Sequence, residues 1–206
     1  MSSQKSTAVE PKRARGRARF ELILAAASRV FAEQGYDRAT MTEIATRSST
    51  AIGSLYRFFP TKEALGEALL KRFTDRLAAA FDEVADRALG LAPPALADAL
   101  IHALRGSTSD DLRAGTAAVL DGRGDGDELR RDFRARRRKQ IARILRIANP
   151  SIDPADAQAR AAVIVYLLKG EDTLAKEEPA ARRRVVAELR RLFTRYVAEA
   201  LRAPAS

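Results

Sequence analysis

Between Thr42 and Lys62 the chain sets donors and small side chains where a polyanion could be gripped. Thr50, Ala51, Gly53 and Ser54 are small, so a backbone carrying them can come close to a nucleic-acid groove. Tyr56 and Arg57 hold donors on longer stems, Lys62 adds a cation and Thr42 a hydroxyl, all suited to phosphate oxygens. Upstream, Arg15-Gly16-Arg17 places two arginines about a glycine, an order that can sink a backbone into a narrow minor groove. The alternative for that tripeptide is a solvated charged terminus attracted to phosphates without sequence preference.

Catalytic chemistry finds little footing. His102 is the single histidine, with Asp98 four residues before it on one helical face, and the chain has no cysteine. The pair could handle a ligand or a proton, or make an ordinary hydrogen bond. One histidine without cysteine does not make a zinc site. No glycine-rich nucleophile turn or phosphate loop accompanies it. No catalytic residue, metal or cofactor is therefore expected.

Charge points the same way as the donors. Of 206 residues, 37 are Lys or Arg against 27 acids, giving a net charge of +10 and a pI near 10.5. Such a surplus favours a polyanionic partner: double-stranded DNA, or failing that an acidic membrane surface or a non-specific architectural role. Nine cations between Arg130 and Arg146 face only Asp132. Arginine supplies 30 of the 37 cations, so part of the surplus reflects composition. No apolar run is long enough to span a membrane and no signal-peptide core precedes the N-terminal charges, which fits the cytoplasm.

These residues need helices to hold them. Phe20, Ile23, Leu24, Ala27, Val30 and Phe31 fall on one face at helical spacing, and Gly35 stops that run. Thr40 and Glu43 have capping-box spacing ahead of Met41, Ile44 and Ala45. Ser48-Ser49-Thr50 breaks the run, and a second short helix continues to Phe58, with Ile52, Leu55 and Phe59 on its packing side. Pro60 ends it and Thr61 caps a longer helix reaching about Gly90. Further helices are expected near 94–105, 110–120, 126–148, 154–174 and 180–202, and no strand pattern appears. The fold class is all-α with about nine helices: a disordered basic arm over 1–16, a three-helix helix-turn-helix head over 17–62 and a helical body over 63–206.

Thr42-Glu43-Ile44-Ala45, followed by Ala51-Ile52-Gly53-Ser54-Leu55-Tyr56-Arg57-Phe58-Phe59-Pro60-Thr61-Lys62-Glu63-Ala64-Leu65, resembles the DNA-binding head of the TetR family of repressors over about residues 16–70. The resemblance implies a transcriptional regulator, most often a repressor, that binds a palindromic operator as a homodimer and is released by a small-molecule inducer held in the body. Thr42, Tyr56 and Lys62 match phosphate-contacting positions of the family, and Thr50, Ala51 and Ser54 match positions facing base edges. The turn departs from the family, which usually has Ala-Gly-Val where Ser48-Ser49-Thr50 stands.

In the body, Ala161 to Leu168 is apolar nearly all round, and Val185, Val186, Leu189, Leu192, Phe193, Val197 and Leu201 form a second broad stripe. Paired across a twofold axis, these last two long helices would make a four-helix bundle between protomers. An effector pocket is expected among the middle helices, with Phe81, Leu100, His102, Leu104, Val119, Phe133 and Tyr166 as candidate lining.

Overall fold

The computed structural model describes residues 7–9, 11, 13–105, 107–169 and 178–202. These form α1 (Ala14–Gln34), α2 (Met41–Arg47), α3 (Ile52–Phe58), α4 (Lys62–Arg87), a short 3-10 turn (Ala88–Gly90), α5 (Pro93–Arg105), α6 (Asp110–Asp121), α7 (Gly126–Ala148), α8 (Pro154–Lys169) and α9 (Pro179–Ala200). There is no strand among the described residues. The eighth helix, expected to about 174, is described as far as Lys169, and residues 170–177 lie outside the described residues.

The helix starts and stops have local causes. Gly35 ends α1 in the left-handed region (φ 82°), and its N–H returns to the Phe31 carbonyl at 2.9 Å. Thr40 caps α2 by accepting from the Glu43 N–H at 3.2 Å. Glu43 does not complete the box: its carboxylate accepts from Gln34 Nε2 at 2.6 Å instead. Thr61 Oγ1 caps α4 by accepting from the Ala64 N–H at 3.1 Å.

The basic arm is shorter than expected. α1 begins at Ala14, so Arg15, Gly16 and Arg17 form its first turn rather than an extended segment. Alanine and arginine are strong helix formers, and they carry the glycine with them. Pro11 packs on Gly16, where a Cβ would sit 2.7 Å from the proline Cβ, and the Val9 N–H donates to the Phe58 carbonyl at 2.8 Å.

Packing divides the chain into two compact units: Met1–Arg76 with Thr108–Arg130, and Leu77–Ser107 with Arg131–Ser206. The first unit takes in the start of α4 as far as Arg76, and α6, which lies on α1, beside the head expected over 17–62. In that unit α1 also packs on α2, and α2 on α3. Ile23, Phe31, Ile44, Leu55, Phe59, Leu65 and Leu69 are fully buried there. Gly115 of α6 meets Ser28 of α1 backbone to backbone: a Cβ at Gly115 would lie 2.5 Å from the Ser28 carbonyl oxygen. Ser28 Oγ donates across the same crossing to the Asp111 carbonyl at 2.6 Å.

The second unit buries Phe81, Leu96, Leu100, Ile141, Ile144, Ile164 and Val197, with α5 and α8 packing on α9. The last carbonyls of α9 and the residues after it are satisfied by side chains. Arg160 Nη1 donates to Ala200 and Arg202 (2.7 and 2.9 Å), and Asn149 Nδ2 donates to Leu201 at 2.6 Å.

The α1–α6 crossing has no room for a side chain at Gly115. Gly115→Val is expected to lower the urea unfolding midpoint, with a loss of about 1–3 kcal/mol from overpacking. An unchanged midpoint would show that the crossing yields freely.

Candidate nucleic-acid interface

The head is built around a turn that glycine would ordinarily occupy. Ser49, between α2 and α3, sits at φ 49°, the single positive-φ residue other than glycine among the described residues. A non-glycine residue in that region carries strain. Arg19 of α1 holds the turn from outside: its Nη1 donates to the Ser49 carbonyl at 2.8 Å and to Thr50 Oγ1 at 3.3 Å. Thr50 Oγ1 in turn donates to the Ser48 carbonyl at 3.1 Å. Thr50 is therefore a buried turn residue, 7% exposed, and its hydroxyl is spent on backbone and Arg19. The expectation that it faces base edges does not hold.

α3 has two faces. Leu55 and the following Phe59 are fully buried, and Phe59 stacks on Phe20 with ring centres 4.6 Å apart. Ala51, Ile52, Gly53, Tyr56 and Arg57 are exposed, and Ser54 is half-buried. Ile52, expected to pack inward, is 41% exposed because it lies on the Gly53–Tyr56 side of the helix. Nothing lies within 4 Å of a Cβ built at Gly53, so the backbone there is open. Thr42, in the first turn of α2, is exposed beside this strip in sequence, as are Arg15 and Arg17 on α1.

Lys62 departs most from its expected role. Its ammonium donates to the carbonyls of Tyr36 (2.9 Å), Asp37 (3.0 Å) and Ala39 (3.3 Å) and lies 4.7 Å above the Tyr36 ring. All three N–H donors are thus committed to the α1–α2 connection, leaving none for a phosphate. Tyr36 itself is buried, and its hydroxyl lacks a hydrogen-bond partner. Burial, followed by the Glu63 carboxylate, pushes its pKa from 10.0 up to about 12. Because the folded value lies above the unfolded one, this contribution is complete below about pH 10. It is lost as pH rises through 12.

Residues 23–69 match the family model described as bacterial regulatory proteins, tetR family. Residues 92–196, more than half of the chain, match the model described as tetracyclin repressor-like, C-terminal domain. The chain belongs to the TetR family. Among curated relatives, the A-factor receptor protein of Streptomyces griseus is 38% identical over 63 residues, covering 31% of this chain and 23% of the relative. An HTH-type transcriptional repressor of Mycobacterium tuberculosis is 40% identical over 62 residues, 30% of this chain and 33% of that one. The matches thus span about a quarter to a third of these relatives. A transcriptional regulator from Rhodococcus sp. RHA1 superposes with a TM-score of 0.66 at 24% identity, over 88% of this chain and 95% of that one. A TetR regulator from Legionella pneumophila gives 0.67 at 19%, over 94% and 100%. These two likenesses show a shared fold.

TetR-family proteins are transcriptional regulators rather than enzymes. His102 and Asp98 are both exposed on α5. The seven candidate effector-lining residues divide between the two units and differ in exposure. Phe81 and Leu100 are buried in the second unit, where Leu104 and Phe133 are half-buried. His102 is on the surface, Tyr166 is 69% exposed on α8, and Val119 is buried in the first unit. Helical spacing alone does not tell a core-facing residue from its neighbour one step round.

Sequence reasoning missed Arg19, Ser28 and Gly115. No spacing rule links residue 19 to a turn at residue 49. Gly115 did leave a signal, since a glycine inside a helix costs about 1 kcal/mol against alanine and marks a close approach.

Two outcomes follow. Lys62→Ala should cost about 1.5–3 kcal/mol of head stability, the scale of charge-assisted hydrogen bonds. It should leave the salt dependence of DNA binding unchanged; a shallower slope would restore its phosphate role. Ser49→Gly should stabilise the protein by about 1 kcal/mol by relieving the left-handed strain. A loss of stability in thermal unfolding would show that Ser49 is not strained.

Proposed function

We propose that the chain is a ligand-responsive repressor of the cytoplasm that binds a palindromic operator as a homodimer and is released by a small-molecule inducer. The observation that carries this reading is the exposed strip of α3. Short side chains at Ala51, Gly53 and Ser54 sit above a buried Leu55–Phe59 anchor, the surface a helix needs to enter a major groove. In this reading Ala51 and Ser54 meet base edges, and exposed Ile52 offers an apolar group to a thymine methyl. Thr42, Tyr56, Arg57, Arg15 and Arg17 serve phosphates.

Exposed apolar side chains on the last two helices support the homodimer. Val163 (40%) and Tyr166 (69%) lie on α8, with Val185 (41%) and Leu192 (51%) on α9. Tyr166 is then better read as part of the twofold interface than as effector lining. The buried half of each helix, Ile164 and Val165 on α8 and Phe193 and Val197 on α9, belongs to the protomer core.

The effector would enter the second unit, where Phe81, Leu100, Leu104 and Phe133 offer apolar groups. Release follows if it prefers a dimer whose recognition helices no longer stand one duplex turn, about 34–36 Å, apart. Substantial release needs a preference of several kcal/mol between the two states. The S. griseus relative named a receptor and the M. tuberculosis relative named a repressor support both halves of the reading.

Selection of bound sequences from random duplex DNA tests this reading. It should return a twofold-symmetric site preferred over random DNA by about 10³-fold or more. Recovery of asymmetric or unrelated sequences would refute it.

A further inference from the structure

We propose that the exposed face of α7 is a second duplex-DNA-binding surface, one that holds phosphates without reading sequence. The proposal needs DNA as a partner but not the operator reading above. Its starting point is where the charge sits. The second unit, which lacks α1–α3, carries 20 cations and 13 carboxylates, so seven of the ten surplus charges lie there.

α7 concentrates them. Arg136, Lys139, Arg143 and Arg146 are all exposed and follow one another at intervals of three and four residues, so they form one row on the helix. At a rise of 1.5 Å per residue the row is about 15 Å long. The opposite face, Ile141, Ala142, Ile144 and Leu145, is buried. Asp82 pairs with Arg143 at 2.9 Å. Among the described residues no ion pair is formed by Arg136, Lys139 or Arg146. Like charges at these intervals repel, so the row is a standing cost that an arriving polyanion removes.

The chemistry of the row favours duplex DNA over other anions. Each strand offers one phosphate per 3.4 Å of axis, so about 15 Å spans roughly four phosphates. Guanidinium groups match phosphate oxygens in pairs. A protein partner would want aromatic or apolar anchors within the patch, and the row has none. A membrane-surface helix inserts its apolar face, but that face of α7 is already buried in the protein.

The test is the triple variant Arg136→Gln, Lys139→Gln, Arg146→Gln in the full chain, measured on a random-sequence duplex across a salt series. The plot of log affinity against log salt should become shallower by about 2–3, near 0.9 for each phosphate no longer neutralised. Circular dichroism should show an intact fold, since only repulsion has been removed. A control variant in which three scattered exposed cations are neutralised (Arg29→Gln, Arg87→Gln, Arg183→Gln) has the same net charge and should keep most of the slope. An unchanged slope in the row variant overturns the proposal. So does an equal fall in the control, which would mean net charge alone acts. Weaker binding to phosphatidylserine vesicles with the DNA slope intact would also overturn it, in favour of a membrane. If the slope falls while no symmetric operator can be selected, the operator reading fails and this one stands.

Discussion

Leu55 and Phe59, both fully buried beneath α3, with Phe59 stacked on Phe20, make the packing on which the head depends. A helix of seven residues has no stability of its own in water, because nucleation costs more than so few hydrogen bonds return. Its shape is borrowed from the α1–α2 platform through these two side chains. That division of labour frees the other side of α3 to carry small residues. Gly53 weakens the helix, and it is tolerated because packing supplies what propensity does not.

Two cations then fix the geometry around that packing. Arg19 ties the turn, and so the entry angle of α3, to α1. Lys62 ties the start of α4 to the connection between α1 and α2. Lys62 looks from the sequence like a DNA ligand, yet its ammonium is held by protein carbonyls. The cations left for phosphates are fewer than composition suggests, while a denser row of them stands on α7. In this chain, Arg19 and Lys62 use positive charge to position the head.

Much of this was legible in the residues. The apolar offsets from Phe20 to Phe31, the Thr40 and Thr61 caps and the Pro60 stop are local rules, and each helix they predicted is present. The spaced pattern from Thr42 to Leu65 pointed to the family. What failed was whatever depends on a residue's rotation about its helix or on a partner far along the chain. Ile52 and Leu55 look equally apolar, yet one faces solvent and the other the core. Tyr166 and His102 look like pocket residues and lie on the surface. Thr50 looks like a base-reading residue until Arg19, thirty-one residues away, is found bonded to it. The first turn of α1 was hidden by its charge, since arginines read as a solvated tail are also good helix formers.

Methylation interference on a bound duplex tests most directly whether α3 enters the major groove. Dimethyl sulfate marks guanine N7 in the major groove and adenine N3 in the minor groove. The account predicts that N7 methylation blocks binding in two clusters centred about 34–36 Å apart. Interference confined to adenine N3, or spread evenly along the duplex, would contradict it.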